Sequence, residues 1–227
     1  MQTDTSNQPG TALVTGGSGF LAGWLIRKLL ERGRAVRMTV RTEAKANEVI
    51  NMLADEGVDT TRLSWLIAEL NSPEGWPSAM TGIDQLFHVA SPLGGENHVD
   101  PTLIDTAVAG VRNVVGAAIA ARVPKVVMTS SAAAVFPGRR ETRQDIDETC
   151  WARLDDKLVT QYMRSKTIAE QTAWHLIDGH DTTQLVTILP GAIFGPFMAG
   201  RPSSTEVLFT TLLSGMPSPK ATFQAVD

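Results

Sequence analysis

The sequence predicts an α/β fold, a doubly wound parallel sheet with helices on both faces, and three observations carry that reading. Short, apolar, β-prone runs alternate with longer segments whose apolar residues recur at helical spacing. The first run stops at a glycine-rich turn that opens directly onto a helical segment. Of the 227 residues, 43% are hydrophobic and 19% charged, enough apolar side chains for a packed core and too few charges for disorder. Strands separated by helices imply right-handed crossovers, which set the strands parallel in one covered sheet.

Each element has its own justification. Residues 11–15 are apolar and β-prone and end at Gly16. Residues 24–32 bring Trp24, Leu25, Ile26, Leu29 and Leu30 to helical spacing, with Gly33 as a stop. The next strand is 35–40, followed by a helix over 43–55 that Gly57 closes. Residues 63–68 and 85–89 read as buried strands. The long helix 105–122 is made of small and β-branched residues, so it packs closely on a neighbour. Residues 125–129 and 185–189 supply strands five and six. Two stretches break the rhythm: 137–157 is dense in charge, and the chain from Pro190 onward is rich in proline and glycine. The division expected is therefore a nucleotide-binding domain over 1–189 and, over 190–227, the opening of a second lobe that is incomplete at Asp227.

Charge and cysteine usage narrow the function classes. The formal charge of −4 argues against general nucleic-acid or anionic-membrane binding. A single cysteine, Cys150, forms no internal disulfide, which fits a reducing, cytoplasmic setting. The polar start lacks a signal-peptide core, and no apolar run is expected to reach the ~20 residues that span a bilayer. His88, His98, His175 and His180 have no metal-ligand spacing, so no metal is expected.

Three motifs carry chemistry. In Thr15-Gly16-Gly17-Ser18-Gly19-Phe20-Leu21-Ala22, Gly16 permits a tight turn, Gly19 lets a pyrophosphate reach the backbone, and Ala22 lets helix and strand pack closely. The helix N-terminus behind the turn attracts phosphate, although a purely structural turn has the same glycines. The second strand ends in Arg41, with Lys45 four residues on, where an acid would select NAD; two cations there favour the 2′-phosphate of NADP(H) over solvated loop charges. Tyr162 and Lys166 stand at i and i+4, hence on one helix face. A fixed cation beside a phenol favours phenolate and makes the tyrosine a usable proton donor. Upstream, Thr129-Ser130-Ser131 closes the fifth strand, at the edge where open α/β sheets hold ligands.

In this order the pieces resemble the extended, epimerase/dehydratase-like branch of the short-chain dehydrogenase/reductase superfamily, and within it the dihydroflavonol reductase-like and cinnamoyl-CoA reductase-like members. The likeness also rests on His88-Val89-Ala90-Ser91-Pro92, on Asp147-Glu148-Thr149-Cys150-Trp151, on Tyr162 to Glu170, and on Leu189 to Pro196. It implies a Rossmann fold in which Ser131 hydrogen-bonds a substrate carbonyl, Tyr162 protonates the nascent alkoxide, and Lys166 holds the nicotinamide ribose. It also implies cofactor contacts from Gly16, Gly19, Phe20, Leu21, Glu69, Leu70, Val89, Ala90, Ser91, Thr129, Pro190, Ala192 and Ile193. Asn113 matches a helix asparagine of the family and reads as structural. Where flavonoid-reducing members carry asparagine, five residues after the serine, this chain has Phe136, which favours an apolar carbonyl compound.

The resulting expectation is a cytoplasmic NADPH-dependent reductase of an aldehyde or ketone, dimerising through the long helix and the Trp174 helix. The rivals are a 3β-hydroxysteroid dehydrogenase-like enzyme, a sugar-nucleotide epimerase-like enzyme, a silent NADP-sensing protein, and a cofactor-binding piece without turnover. Arg41 argues against the epimerase, and the presence of both Tyr162 and Lys166 argues against the sensor.

Overall fold

The protein is described from a computed structural model, which covers residues 10–92, 101–136, 146–196, 198 and 225–226. Six parallel strands form the central sheet in the order β3-β2-β1-β4-β5-β6. They are β1 (Thr11–Val14), β2 (Ala35–Val40), β3 (Leu63–Ile67), β4 (Ile83–His88), β5 (Lys125–Thr129) and β6 (Gln184–Ile188). The helices are α1 (Phe20–Glu31), α2 (Glu43–Asp55), α3 (Trp76–Met80), α4 (Leu103–Ala120) and α5 (Gln161–Ile177), with a 3-10 turn over Ala132–Val135. Two short strands, β7 (Ala192–Ile193) and β8 (Ala225–Val226), pair parallel outside the main sheet.

Two apolar cores lie on opposite faces of the sheet. Successive side chains of a strand point to opposite faces, so β1 sends Ala12 and Val14 to one core and Leu13 to the other. The first core is closed by α1 and α2 through Ala22, Ile26, Leu29, Val49 and Leu53. The second is closed by α3, α4 and α5 through Trp76, Val111, Val114, Ala118, Ala169 and Ala173. The strand order turns back between β1 and β4, and that crevice at the carboxyl ends of the strands is where open α/β sheets bind ligands.

Strand β2, helix α2 and strand β5 occupy the residues the pattern predicts, and the remaining boundaries shift by up to four. Helix α1 begins at Phe20, four residues before its periodicity is obvious, because Gly19 in extended conformation caps it. Helix α4 corrects the membrane reading: by length and composition it is apolar enough to cross a bilayer. Its seven buried residues, from Leu103 to Ala118, instead recur every three or four positions, the spacing of one face laid on a core. The charge-dense stretch before Ile146, His98, and most of the expected second lobe lie outside the described residues.

Candidate active site

A cleft of about 830 Å³ opens along the crevice between β1 and β4. That size lies within the roughly 300–1,000 Å³ of small-molecule and cofactor sites. Its floor is the glycine-rich turn. Gly16 has φ +69°, and a Cβ there would stand 3.0 Å from the Cβ of Ala90, so the position demands glycine both conformationally and sterically. The turn is tied to β2, because the Gly16 amide donates to Thr39 Oγ1 (3.2 Å) and the Gly17 amide to the Thr39 carbonyl (2.8 Å). No side chain among the described residues caps α1, and the partial positive charge of its N-terminus borders the cleft, where an anion would be attracted.

The turn is also tied to β4. Thr15 Oγ1 accepts from the amides of Val89 (3.0 Å) and Ala90 (2.9 Å) and lies 3.0 Å from His88 Nδ1. Two accepted bonds use both hydroxyl lone pairs, so the Thr15 proton goes to Nδ1, and the neutral imidazole carries its own proton on Nε2. His88 is fully buried, and desolvation, helped by the charge of Lys166, pushes its pKa down to about 4. A neutral acceptor is what the hydroxyl requires.

Ser131, Tyr162 and Lys166 converge on the far wall of the same cleft. Helix α5 presents Tyr162 and Lys166 one turn apart, and the Lys166 Nζ lies 5.8 Å from the centre of the Tyr162 ring. Thr160 fixes the start of that helix by accepting from the Met163 amide (3.2 Å). Lys166 donates to Ser91 Oγ (2.9 Å) at the end of β4. Burial pushes its ammonium down to about 8 against the opposing charge of Glu170. Ser131 follows β5, and its Oγ accepts from the Ala133 amide (3.1 Å), which leaves its own proton to donate.

Of the residues predicted to contact a dinucleotide, the cleft is lined by Gly16, Gly19, Phe20, Leu21, Arg41, Glu69, Leu70, Val89, Ala90, Ser91, Thr129, Pro190, Ala192 and Ile193. Lys45 is not among them. Its Nζ pairs with Glu48 one turn along α2 (2.9 Å), while no ion pair among the described residues engages Arg41. Phe136 is also outside the lining, half-exposed at the end of the 3-10 turn. Asn113 has the structural role expected of it, donating to the Leu70 carbonyl (2.7 Å). Sequence reasoning missed Thr39, the Thr15–His88 pair and Glu170. Only Glu170 had a signal, as a carboxylate one turn beyond Lys166.

The residues present fit a dinucleotide: a cradle that a Cβ would fill, an uncapped helix start, a cation at the end of β2 and a buried ammonium. Comparison with known proteins agrees with the architecture. The pattern of the 3-beta hydroxysteroid dehydrogenase/isomerase family matches residues 13–208. The chain is similar to dihydroflavonol 4-reductase of Dianthus caryophyllus, 33% identical over 89% of this chain and 56% of the relative. It is similar to cinnamoyl-CoA reductase 2 of Arabidopsis thaliana, 34% identical over 89% of this chain and 60% of the relative. The solved structure of Gre2 from Candida albicans in complex with NADPH superposes with a TM-score of 0.74 at 26% identity, over 94% of this chain and 68% of that one. The chain spans about six tenths of the length of the curated relatives it matches. With the glycine-rich turn and the Tyr162–Lys166 helix both inside the matched residues, the chain belongs to the 3-beta hydroxysteroid dehydrogenase/isomerase family, in the extended short-chain branch that includes dihydroflavonol and cinnamoyl-CoA reductases.

Proposed function

We propose that this chain carries the cofactor site and proton-transfer residues of an NADPH-dependent reductase that turns an aldehyde or ketone into an alcohol. The observation that carries the reading is convergence: Ser131, Tyr162 and Lys166 share one cleft with the glycine-rich turn and with Arg41. The names of the relatives supply the reductase class, and the solved Gre2 complex supplies the cofactor by analogy. Fold and family description do not fix a substrate.

Bound NADPH supplies the hydride that reduces the carbonyl carbon. The residues of this chain do the rest. Ser131 donates its free proton to the carbonyl oxygen and so fixes the orientation of the group to be reduced. Tyr162 gives its phenolic proton to that oxygen as negative charge develops there. The Lys166 ammonium beside the ring stabilises the phenolate left behind. Arg41 meets the 2′-phosphate, and the α1 N-terminus meets the pyrophosphate. Phe136 stands where the flavonoid-reducing members carry asparagine but lies outside the cleft lining, so the preference for an apolar carbonyl compound over a polyphenol rests on the missing polar partner alone. A cytoplasmic location and a dimer through α4 and the Trp174 side of α5 belong to the same proposal.

The test is a cofactor-oxidation screen with NADPH beside NADH over aldehydes, ketones and a 3-ketosteroid. Turnover with NADPH and an apolar carbonyl compound is expected. Tight NADPH binding without oxidation by any carbonyl overturns the reductase reading, and preference for the steroid moves it to hydroxysteroid chemistry.

A further inference from the structure

Behind the catalytic lysine lies a charged group for which the reductase reading has no use. Glu170 stands one turn beyond Lys166 on α5 and is only 3% exposed. A carboxylate in that position is costly unless hydrogen bonds and a nearby cation compensate it. Both are present. Ser130 Oγ donates to Glu170 Oε2 in a short contact, and the Trp174 indole donates weakly to Oε1 (3.4 Å). Ser130 immediately precedes Ser131, so the carboxylate ties the end of β5 to the helix that carries Tyr162 and Lys166.

We propose that Glu170 is a positioning residue whose buried negative charge keeps Lys166 in its ammonium form and whose bond to Ser130 holds Ser131 against α5. The inference rests on the proposed roles of Ser131, Tyr162 and Lys166, but its electrostatic half concerns the protein alone. The titratable groups packed around the Lys166 ammonium are Tyr162 and Glu170 on α5 and His88 on β4. Of these, His88 is neutral at physiological pH, since its pKa is about 4. Ser91 on the β4 side offers a hydroxyl but no charge. The lysine is 6% exposed, and its desolvation favours the neutral amine. Glu170 is the group that opposes this loss of charge. An uncharged amine would stabilise a developing phenolate much less.

The experiment measures the pKa of Lys166 directly, by competitive acetylation of the free protein across pH with mass spectrometry of the 166-containing peptide. No cofactor or substrate is needed, so the result stands even if no carbonyl is ever reduced. Wild type is expected to titrate near 8. Glu170→Gln keeps the shape and an acceptor for Ser130 but removes the charge, so the lysine is expected to fall by roughly one pH unit, a tenfold loss of ammonium at alkaline pH. Glu170→Asp keeps the charge and is expected to stay within about half a unit of wild type. Where turnover is measurable, the alkaline limb of kcat moves with the lysine, with KM for the carbonyl little changed. An unchanged Lys166 pKa in folded Glu170→Gln overturns the proposal. Should that variant not fold, a one-unit fall in Glu170→Asp overturns it equally, because packing and not charge would then control the lysine.

Discussion

At the residue scale, the site combines groups that were legible in the sequence with groups that only folding reveals. Gly16, Gly19, Ser131, Tyr162 and Lys166 could be found because their chemistry depends on local spacing: a turn, a strand end, one helical repeat. Thr39, His88 and Glu170 act through contacts formed by tertiary packing, to the Gly16 amide, Thr15 and Ser130, which no local period encodes. Lys45 shows the converse case. Its spacing from Arg41 suggested a shared phosphate, yet helix formation turned it toward Glu48. Arg41→Ala is accordingly expected to weaken NADPH about ten- to a hundredfold, with NADH little affected and Lys45→Ala nearly silent. Binding titrations with both cofactors check this; equal loss for both removes Arg41 from the 2′-phosphate. Tyr162→Phe deletes one hydroxyl and is expected to lower kcat by about 10²-fold or more while NADPH affinity persists. Retained turnover in stopped-flow assays would place the proton donor elsewhere.

At the element scale, the long apolar runs and helices declared themselves, and the short pieces did not. Helix α3 is five residues long, too short for a period, and it starts after Gly75 in left-handed conformation. The 3-10 turn after β5 depends on Ser131 accepting from Ala133, a bond made across two residues. Helix α4 shows how one element positions another. Gly110 leaves room for the Leu70 side chain, since a Cβ there would come within 2.9 Å of Leu70 Cδ2. Asn113, one turn on, holds the Leu70 carbonyl. Together they fix the loop after β3 along the cleft wall. Asn113→Ala leaves that carbonyl without its donor, a loss of about 1–3 kcal/mol. The expected result is a lower urea midpoint and weaker NADPH binding, with kcat at saturating cofactor nearly unchanged. A fall in kcat alone would mean that Asn113 reaches the reacting group.

At the scale of the whole molecule, both cores are built on the seam of β1 and β4, one on each face, and His88 sits at that seam as a buried, neutral acceptor. Its pKa is depressed from 6.5 unfolded to about 4 folded. Between those values the unfolded chain binds a proton that the folded chain refuses, so stability rises with pH through this window and falls as the medium is acidified. Integrated from neutral pH down to pH 5, this one group removes about 2 kcal/mol, a sizeable share of a typical domain's 5–15 kcal/mol. Protonation would also force Nδ1 to become a donor facing the hydroxyl proton of Thr15, while Val89 and Ala90 still occupy both of its lone pairs. The seam therefore opens where the glycine-rich turn joins β4, and acid should release NADPH before or together with unfolding. His88→Asn places an uncharged amide oxygen near the position of Nδ1 and keeps an acceptor for Thr15. This variant is expected to be somewhat less stable at pH 7 because the smaller side chain leaves space, yet to lose much less between pH 7 and pH 5 than wild type. Urea unfolding at the two pH values gives the comparison. Parallel loss in both proteins would show that carboxylates elsewhere, and not the seam histidine, set the acid limit of the fold.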